Sequence, residues 1–196
     1  MKKIKVRLTF TEPILGTCPA DEDIYTTFIG SKSPDAETIE EEVAALGVDA
    51  VVEKGKTIFP KEDGNPFFWD FQFKGFFKDT CGGLRKVPGT RSSKIKAFKK
   101  EIDKLVFVFP RRVPIHFDGE ITDFQRPLRA QTAQGERISL ANSERIPAGA
   151  WCEFTIECLL DDYEKTVREW LDYGKYSGMG QWRNASYGRF TWEEIE

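Results

Sequence analysis

Over residues 3–10 charged and apolar side chains alternate one for one, the period of a strand with one buried face, and Pro13 and Gly16 end it. Residues 20–29 and 36–46 read as two short acidic helices. Pro34 interrupts helix between them and Asp35 can cap the second. Residues 49–53 fit a short strand or a helix tail. Residues 57–60 and 67–71 flank an Asp-Gly-Asn-Pro cluster and predict a hairpin. The second strand runs into a turn at Lys74-Gly75, and a short helix follows, closed by Gly82-Gly83. Free amides at that helix start, beside Lys74 and Lys78, would form an anion site. The alternative is a lysine pair that solvates a core helix.

Residues 87–93, punctuated by Pro88 and Gly89, predict an exposed basic loop with room for motion. Residues 94–104 predict a basic amphipathic helix, with Ile95, Phe98 and Ile102 on one face. A buried strand is expected over 105–109, a second, bent at Pro114, over 113–117, and a turn over 118–120. Residues 126–137 are polar and read as a loop or a projecting hairpin. Residues 138–146 and 150–158 flank Pro147-Ala148-Gly149 and predict an antiparallel pair; in the second, Cys152, Phe154, Ile156 and Cys158 alternate with Trp151, Glu153, Thr155 and Glu157. Asp161-Asp162 opens a helix to about Tyr173, with Val167, Trp170 and Leu171 on one face. A glycine-rich stretch leads to a last strand over 189–192. This order predicts an α+β fold: a ferredoxin-like or RRM-like antiparallel sheet with helices on one face, plus insertions. The whole chain, 1–196, is expected to be a single domain with an acidic helical insertion at about 17–53.

At 196 residues, 40% hydrophobic and 31% charged, the composition excludes extended disorder. No apolar run approaches the roughly 20 residues that cross a bilayer, so a cytoplasmic protein without a membrane partner is expected. Cys18, Cys81, Cys152 and Cys158 form no Cys-x-x-Cys pair and His116 is the only histidine, so no metal or other cofactor is expected, and the thiols read as isolated and buried. The net charge of −3 conceals an asymmetry: acids dominate between Glu12 and Asp63, bases between Lys74 and Arg112. A local basic face is what nucleic acid responds to, whatever the total charge; a solvated helix face is the plainer account of such a run.

The stretch 174–190 holds Gly174, Gly178, Gly180 and Gly188 among Lys175, Arg183, Arg189, Gln181 and Asn184. Glycine permits positive φ and close approach, and the cations and amides suit a phosphate backbone. Tyr176, Trp182 and Tyr187 can stack on bases. The competing account is a tight turn whose aromatics re-enter the core.

The run Gly178-Met179-Gly180-Gln181-Trp182-Arg183-Asn184-Ala185-Ser186-Tyr187-Gly188-Arg189-Phe190 resembles the glycine-rich loop of the RAMP superfamily, the RRM-like subunits of CRISPR effector complexes and their guide-processing relatives. The family's pattern is Gly-x-Gly, a variable basic stretch, then Gly-Arg or Gly-Lys and a hydrophobic strand. Phe73-Lys74-Gly75-Phe76-Phe77-Lys78 is similar to a Lys-Gly-x-x-Arg/Lys segment that touches guide RNA in backbone-type members, and residues 142–154 resemble the sheet segment before the last helix. Joined to the basic run, the resemblance implies an RNA-binding set of Lys74, Gly75, Lys78, Arg85, Arg91, Lys94, Arg129, Gly178, Gly180, Gln181, Arg183, Asn184, Gly188 and Arg189. It also implies single-stranded or guide RNA and a protein assembly or homo-oligomer as partners. Residues 20–53 have no counterpart and residues 126–137 match only as a projecting hairpin, so a stand-alone, mobile-element or phage-borne relative fits as well as a standard effector-complex subunit.

No catalytic residue is assigned. No P-loop, Gly-x-Ser-x-Gly or His-Glu-x-x-His motif is present. His116 is the one candidate general base, of a metal-independent endoribonuclease, and the second group such chemistry needs is not identified. Asp118, Glu120 and Asp123 read as a polar turn more readily than as a Mg²⁺ site. The leading expectation is therefore a non-enzymatic RNA-binding protein that holds RNA by its backbone. A non-enzymatic inhibitor or mimic of a CRISPR or other defence complex is the alternative.

Overall fold

In the computed structural model, which describes residues 1–20, 55–132 and 135–196, the acidic helices expected over 20–29 and 36–46 fall outside the described part, as do residues 49–53. In chain order the elements are β1 (Lys2–Phe10), β2 (Ile14–Leu15), β3 (Cys18–Pro19), β4 (Thr57–Ile58), β5 (Lys61–Glu62), β6 (Asn65–Trp69), α1 (Asp70–Leu84), α2 (Phe98–Leu105), β7 (Val106–Phe109), β8 (Arg112–Pro114), β9 (Thr122–Thr132), β10 (Gly135–Ile146), β11 (Trp151–Cys158), α3 (Asp161–Asp172) and β12 (Phe190–Glu194). Contacts divide the chain into two units: Met1–Ile14, Pro60–Glu120 and Ile146–Glu196 form the first, Leu15–Phe59 and Ile121–Arg145 the second.

In the first unit four strands lie in the order β12-β1-β11-β7, every neighbour antiparallel, with Ile4 opposite Ile156, Leu8 opposite Cys152 and Phe10 opposite Phe190. β1–α1–β7 and β11–α3–β12 each skip one strand, which is the split βαβ pattern of the ferredoxin-like fold. The alternation read from the sequence settles the faces. Ile4, Val6 and Leu8 of β1, with Cys152, Phe154, Ile156 and Cys158 of β11, are buried beneath α1 and α3. The helices answer with aromatic rings: Phe73 lies 4.2 Å from Phe154, Phe76 5.2 Å from Phe190, and Phe77 5.5 Å from Trp170. The opposite face carries ion pairs, Lys3 with Glu157 at 2.6 Å and Arg7 with Glu153 and Glu193. The α+β sheet with helices on one face is thus the fold observed.

Three local features differ from expectation. β10 and β11 do not pair with each other. β11 lies between β1 and β7, and Phe10 N–H donates to Ala150 C=O while Gly149 N–H donates to Phe10 C=O, so the 147–149 turn delivers the chain to β1. The buried alternation of β11 is best matched by that of β1, a long-range pairing that the turn residues do not encode. Lys74-Gly75 is not a turn. α1 begins at Asp70 and runs through both residues, so no helix-start amides stand beside Lys74 and Lys78. Phe73, Phe76 and Phe77 recur at helical spacing and are buried. Each such burial contributes about 1.5–3 kcal/mol, against about 1 kcal/mol lost to a helical glycine. Finally, Thr57–Ile58 is not the first arm of the hairpin; Lys61–Glu62 pairs with β6 instead, through a turn at Asp63-Gly64 with φ of 50° and 81°.

In the second unit β9 and β10 form a long antiparallel pair registered from Gly135–Thr132 to Arg145–Thr122, so the described residues of the polar segment, 126–132 and 135–137, lie in paired strands as a projecting hairpin would place them. β4 joins β10 in parallel at Ser143–Thr57 and pairs with β3 antiparallel. Thr57 Oγ1 and Ser143 Oγ lie 2.7 Å apart, and Lys56 pairs with Asp123 at 2.5 Å.

Candidate nucleic-acid interface

The glycine stretch leaves α3 through a 3-10 turn, Tyr173–Lys175, and closes on itself at a backbone neck. Met179 N–H donates to Gly188 C=O at 2.9 Å, and Gly188 N–H donates to Pro13 C=O at 2.8 Å. A Cβ on Gly178 would lie 2.0 Å from the Gly188 carbonyl carbon, and one on Gly188, at φ +69°, 1.8 Å from Met179 O. Gly174 faces the Phe190 ring at 2.2 Å in the same sense. These three glycines are demanded by packing. Beyond the neck Gly180 has φ +87°, and Trp182 and Ser186 are left-handed at φ 55° and 74°, flanking a 3-10 turn at Arg183–Ala185. The Trp182 and Tyr187 rings stack at 5.4 Å, and Tyr176 is 61% exposed beneath Lys175.

Arg183 reaches across to α1 and pairs with Asp79 at 3.1 Å. Between them opens a groove of about 630 Å³ lined by Gly75, Lys78, Gly82, Gly83, Lys86, Lys99 and Arg183 along with Asp79, Phe98, Tyr173 and Ser177. Lys78 is tethered to Asp103 at 2.5 Å, whereas Lys86 and Lys99 have no ion pair among the described residues. Here the α1 glycines differ from those of the loop. A Cβ on Gly75 or Gly83 would meet nothing within 4 Å, and one on Gly82 only the edge of Phe98 at 3.5 Å. No packing requirement explains them.

The structure gathers part of the sequence-predicted set at this groove and disperses the rest. Gly75, Lys78 and Arg183 line it. Gln181, Asn184, Gly178, Gly180 and Gly188 belong to the loop at its side. Lys74 does not line the groove: its Nζ donates to Asp103 C=O at 3.2 Å and lies 4.5 Å over the Phe107 ring, and burial pushes its pKa below the usual lysine value, with Asp103 opposing. Arg85 covers Phe98 at 5.1 Å. Arg91 and Lys94 line a separate cavity with Asp162 and Tyr163. Arg189 C=O accepts from Thr11 N–H at 2.9 Å, and its Nε is enclosed with no hydrogen-bond partner among the described residues. Arg129 lies in β9 of the second unit; its side chain is outside the described part. Lys86 and Lys99 line the groove but are not in the set expected from the sequence. Both stand in the basic run, but only the fold says which lysines of that run converge.

The basic loop is also corrected. Arg91 and Ser92 N–H donate to the Glu169 carboxylate at 2.9 and 3.1 Å; Trp170 Nε1 donates to Ser92 Oγ at 2.9 Å, and Ser92 Oγ donates onward to Glu169. Ser92 is fully buried, so this loop is pinned to α3. The basic helix is correspondingly shorter than expected, beginning at Phe98 after a 3-10 turn at Ser92–Lys94. His116 is exposed. It bridges to Trp151 through its backbone and stacks on that ring at 4.1 Å, away from the groove. No helix among the described residues is long and apolar enough to cross a membrane.

A split βαβ sheet with a glycine-necked loop after its last helix defines an RRM-like α+β chain. Among solved structures it is similar to a chain of a type III-B Cmr-beta complex bound to cognate target RNA, with TM-score 0.51 and 12% identity over 99% of this chain. A chain of a type IV-B CRISPR complex aligns with TM-score 0.47 and 10% identity, over 99% of this chain and 90% of that one. The present chain spans 58% of the length of the Cmr-beta chain. No protein-family model matches, and neither does any curated protein. The likeness to the Cmr-beta chain is one of fold, and it agrees with the α+β sheet expected from the sequence.

Proposed function

We propose that the chain binds single-stranded or guide RNA by its backbone, in the groove between α1 and the glycine-necked loop, as a non-enzymatic subunit of a CRISPR-related assembly. The observation that carries this reading is the α1 face. Gly75, Gly82 and Gly83 expose helix backbone without a packing reason, and Lys78, Lys86, Lys99 and Arg183 converge on that same surface. Small residues admit a ligand close to the helix and the cations fit phosphate. The Arg183–Asp79 pair is exposed, and such a pair contributes little, so Arg183 can exchange Asp79 for a phosphate oxygen. The Cmr-beta structure with a similar fold contains target RNA, which supports the ligand class.

The test is a salt titration of binding to a fluorescent single-stranded RNA. Each phosphate contact on a single strand contributes about 0.7 to the slope of log K against log salt. Lys86→Ala with Lys99→Ala should therefore flatten the slope by about 1.4 and weaken binding. An unchanged slope, or no binding by the unaltered protein at low salt, sinks the reading.

A further inference from the structure

At the other end of α1 lies an aromatic surface that the groove does not use. Trp69 closes β6 and Phe71 stands in the first turn of the helix; their rings stack at 6.0 Å and 15°, and Phe71 is 53% exposed. Trp69 is packed by Phe67, edge-on at 4.9 Å, and the Arg111 and Arg112 guanidiniums lie 5.5 and 5.6 Å from its ring. Arg112 is fixed by Glu62, whereas Arg111 is exposed and has no ion pair among the described residues. Asp70 N–H donates to Arg111 C=O at 2.9 Å, which locks the segment before β8 to the helix start. The platform is therefore rigid, one ring wide, and has a cation at its margin.

Its position is telling. Residues 71, 75, 78 and 82 are spaced four, three and four apart and so share one helical face. Phe71 is the N-terminal end of the stripe whose middle and C-terminal end, Gly75, Lys78 and Gly82, line the basic groove. A backbone lying along the stripe would bring its bases to Phe71. A protein partner fits less well, because a specific interface needs about 800 Å² on each side, and this surface is a single ring bordered by charge.

We propose that Phe71, backed by Trp69, is a stacking platform for one nucleobase of a single-stranded RNA, with Arg111 meeting the adjoining phosphate. This rests on the RNA-binding reading above and adds a base-dependent contact at a place that reading does not require. Aromatic platforms of this kind accept any base, since every base presents a π-face.

The experiment compares a uridine oligonucleotide with an abasic ribose-phosphate oligonucleotide of equal length, on the whole chain carrying Phe71→Ala or Phe71→Tyr. Phe71→Ala should weaken binding of the base-bearing RNA by roughly 5- to 150-fold and leave abasic binding and the salt slope unchanged. Phe71→Tyr should restore affinity. If Phe71→Ala binds both oligonucleotides as the unaltered protein does, while Lys86→Ala with Lys99→Ala still flattens the salt slope, the platform is wrong and the groove stands. If the unaltered protein binds neither, both fail. A change in oligomeric state by light scattering on Phe71→Ala, with RNA binding intact, assigns the surface to a protein partner and also overturns the proposal.

Discussion

Gly75→Ala together with Gly82→Ala separates what α1 needs for folding from what it offers a ligand. Both positions lie inside the helix. A methyl at 75 meets nothing within 4 Å, and one at 82 makes ordinary contact with Phe98 at 3.5 and 3.7 Å. Each glycine costs a helix interior about 0.5–1 kcal/mol relative to alanine, mainly in chain entropy. The two sites are about 10 Å apart along the axis and should add. The double variant should therefore gain about 1–2 kcal/mol, read as a higher urea midpoint at unchanged m, and about 2–8 °C in Tm. RNA affinity should move the other way. Methyl groups that hold a phosphate off the helix forfeit about one charge-assisted hydrogen bond, 1.5–3 kcal/mol, which is at least tenfold in Kd. Gly178→Ala provides the contrast: its Cβ would enter the Gly188 backbone at 2.0 Å, so this change should destabilise or abolish folding. Destabilisation of the double variant would refute the helix environment described, and a stabilised variant with undiminished RNA affinity would refute the functional account of the glycines.

Glu169→Ala removes the acceptor for two backbone N–H groups and the Ser92 hydroxyl, and should cost about 1–3 kcal/mol and expose the loop at Lys86–Lys96 to trypsin; an unchanged cleavage pattern would mean that the loop is held by something else. Burial, and then the hydrogen bond from its hydroxyl to Glu101, raise the Tyr163 pKa. The contribution is whole below the unfolded tyrosine value of about 10 and is lost as pH rises, because the unfolded chain then releases a proton that the native chain keeps. The fall in denaturant midpoint above about pH 10 should be shallower in Tyr163→Phe, and equal slopes would refute the linkage. All four cysteines are buried and free, with Cys158 pushed up to about 11 by burial and, less, by Glu164. A thiol reagent at neutral pH should label them quickly only after denaturation.

Features that rest on local periodicity were legible in the amino-acid order alone. The alternation over 3–10 and 151–158 defined two strands and their buried faces, because side chains of a strand point to opposite sides in turn. The spacing of Val167, Trp170 and Leu171 defined α3 and its core face. The glycine stretch was legible as a shaped loop, and the four cysteines as isolated buried thiols. Which strands meet depended on long-range packing. β11 joins β1 and not β10 because matched apolar faces outweigh proximity through a short turn. It also decided that Lys74-Gly75 lies within a helix, since the burial of Phe73, Phe76 and Phe77 outweighs one glycine. The site shows the same division. Every cation of the groove stands in the basic run or the glycine stretch, but the groove gathers Lys78, Lys86, Lys99 and Arg183, while Lys74 and Arg85 do not line it and Arg91 and Lys94 line a separate cavity. Charge along a chain is a local property. Its convergence on one surface, and whether a glycine is there for packing or for access, depend on contacts between residues far apart in sequence.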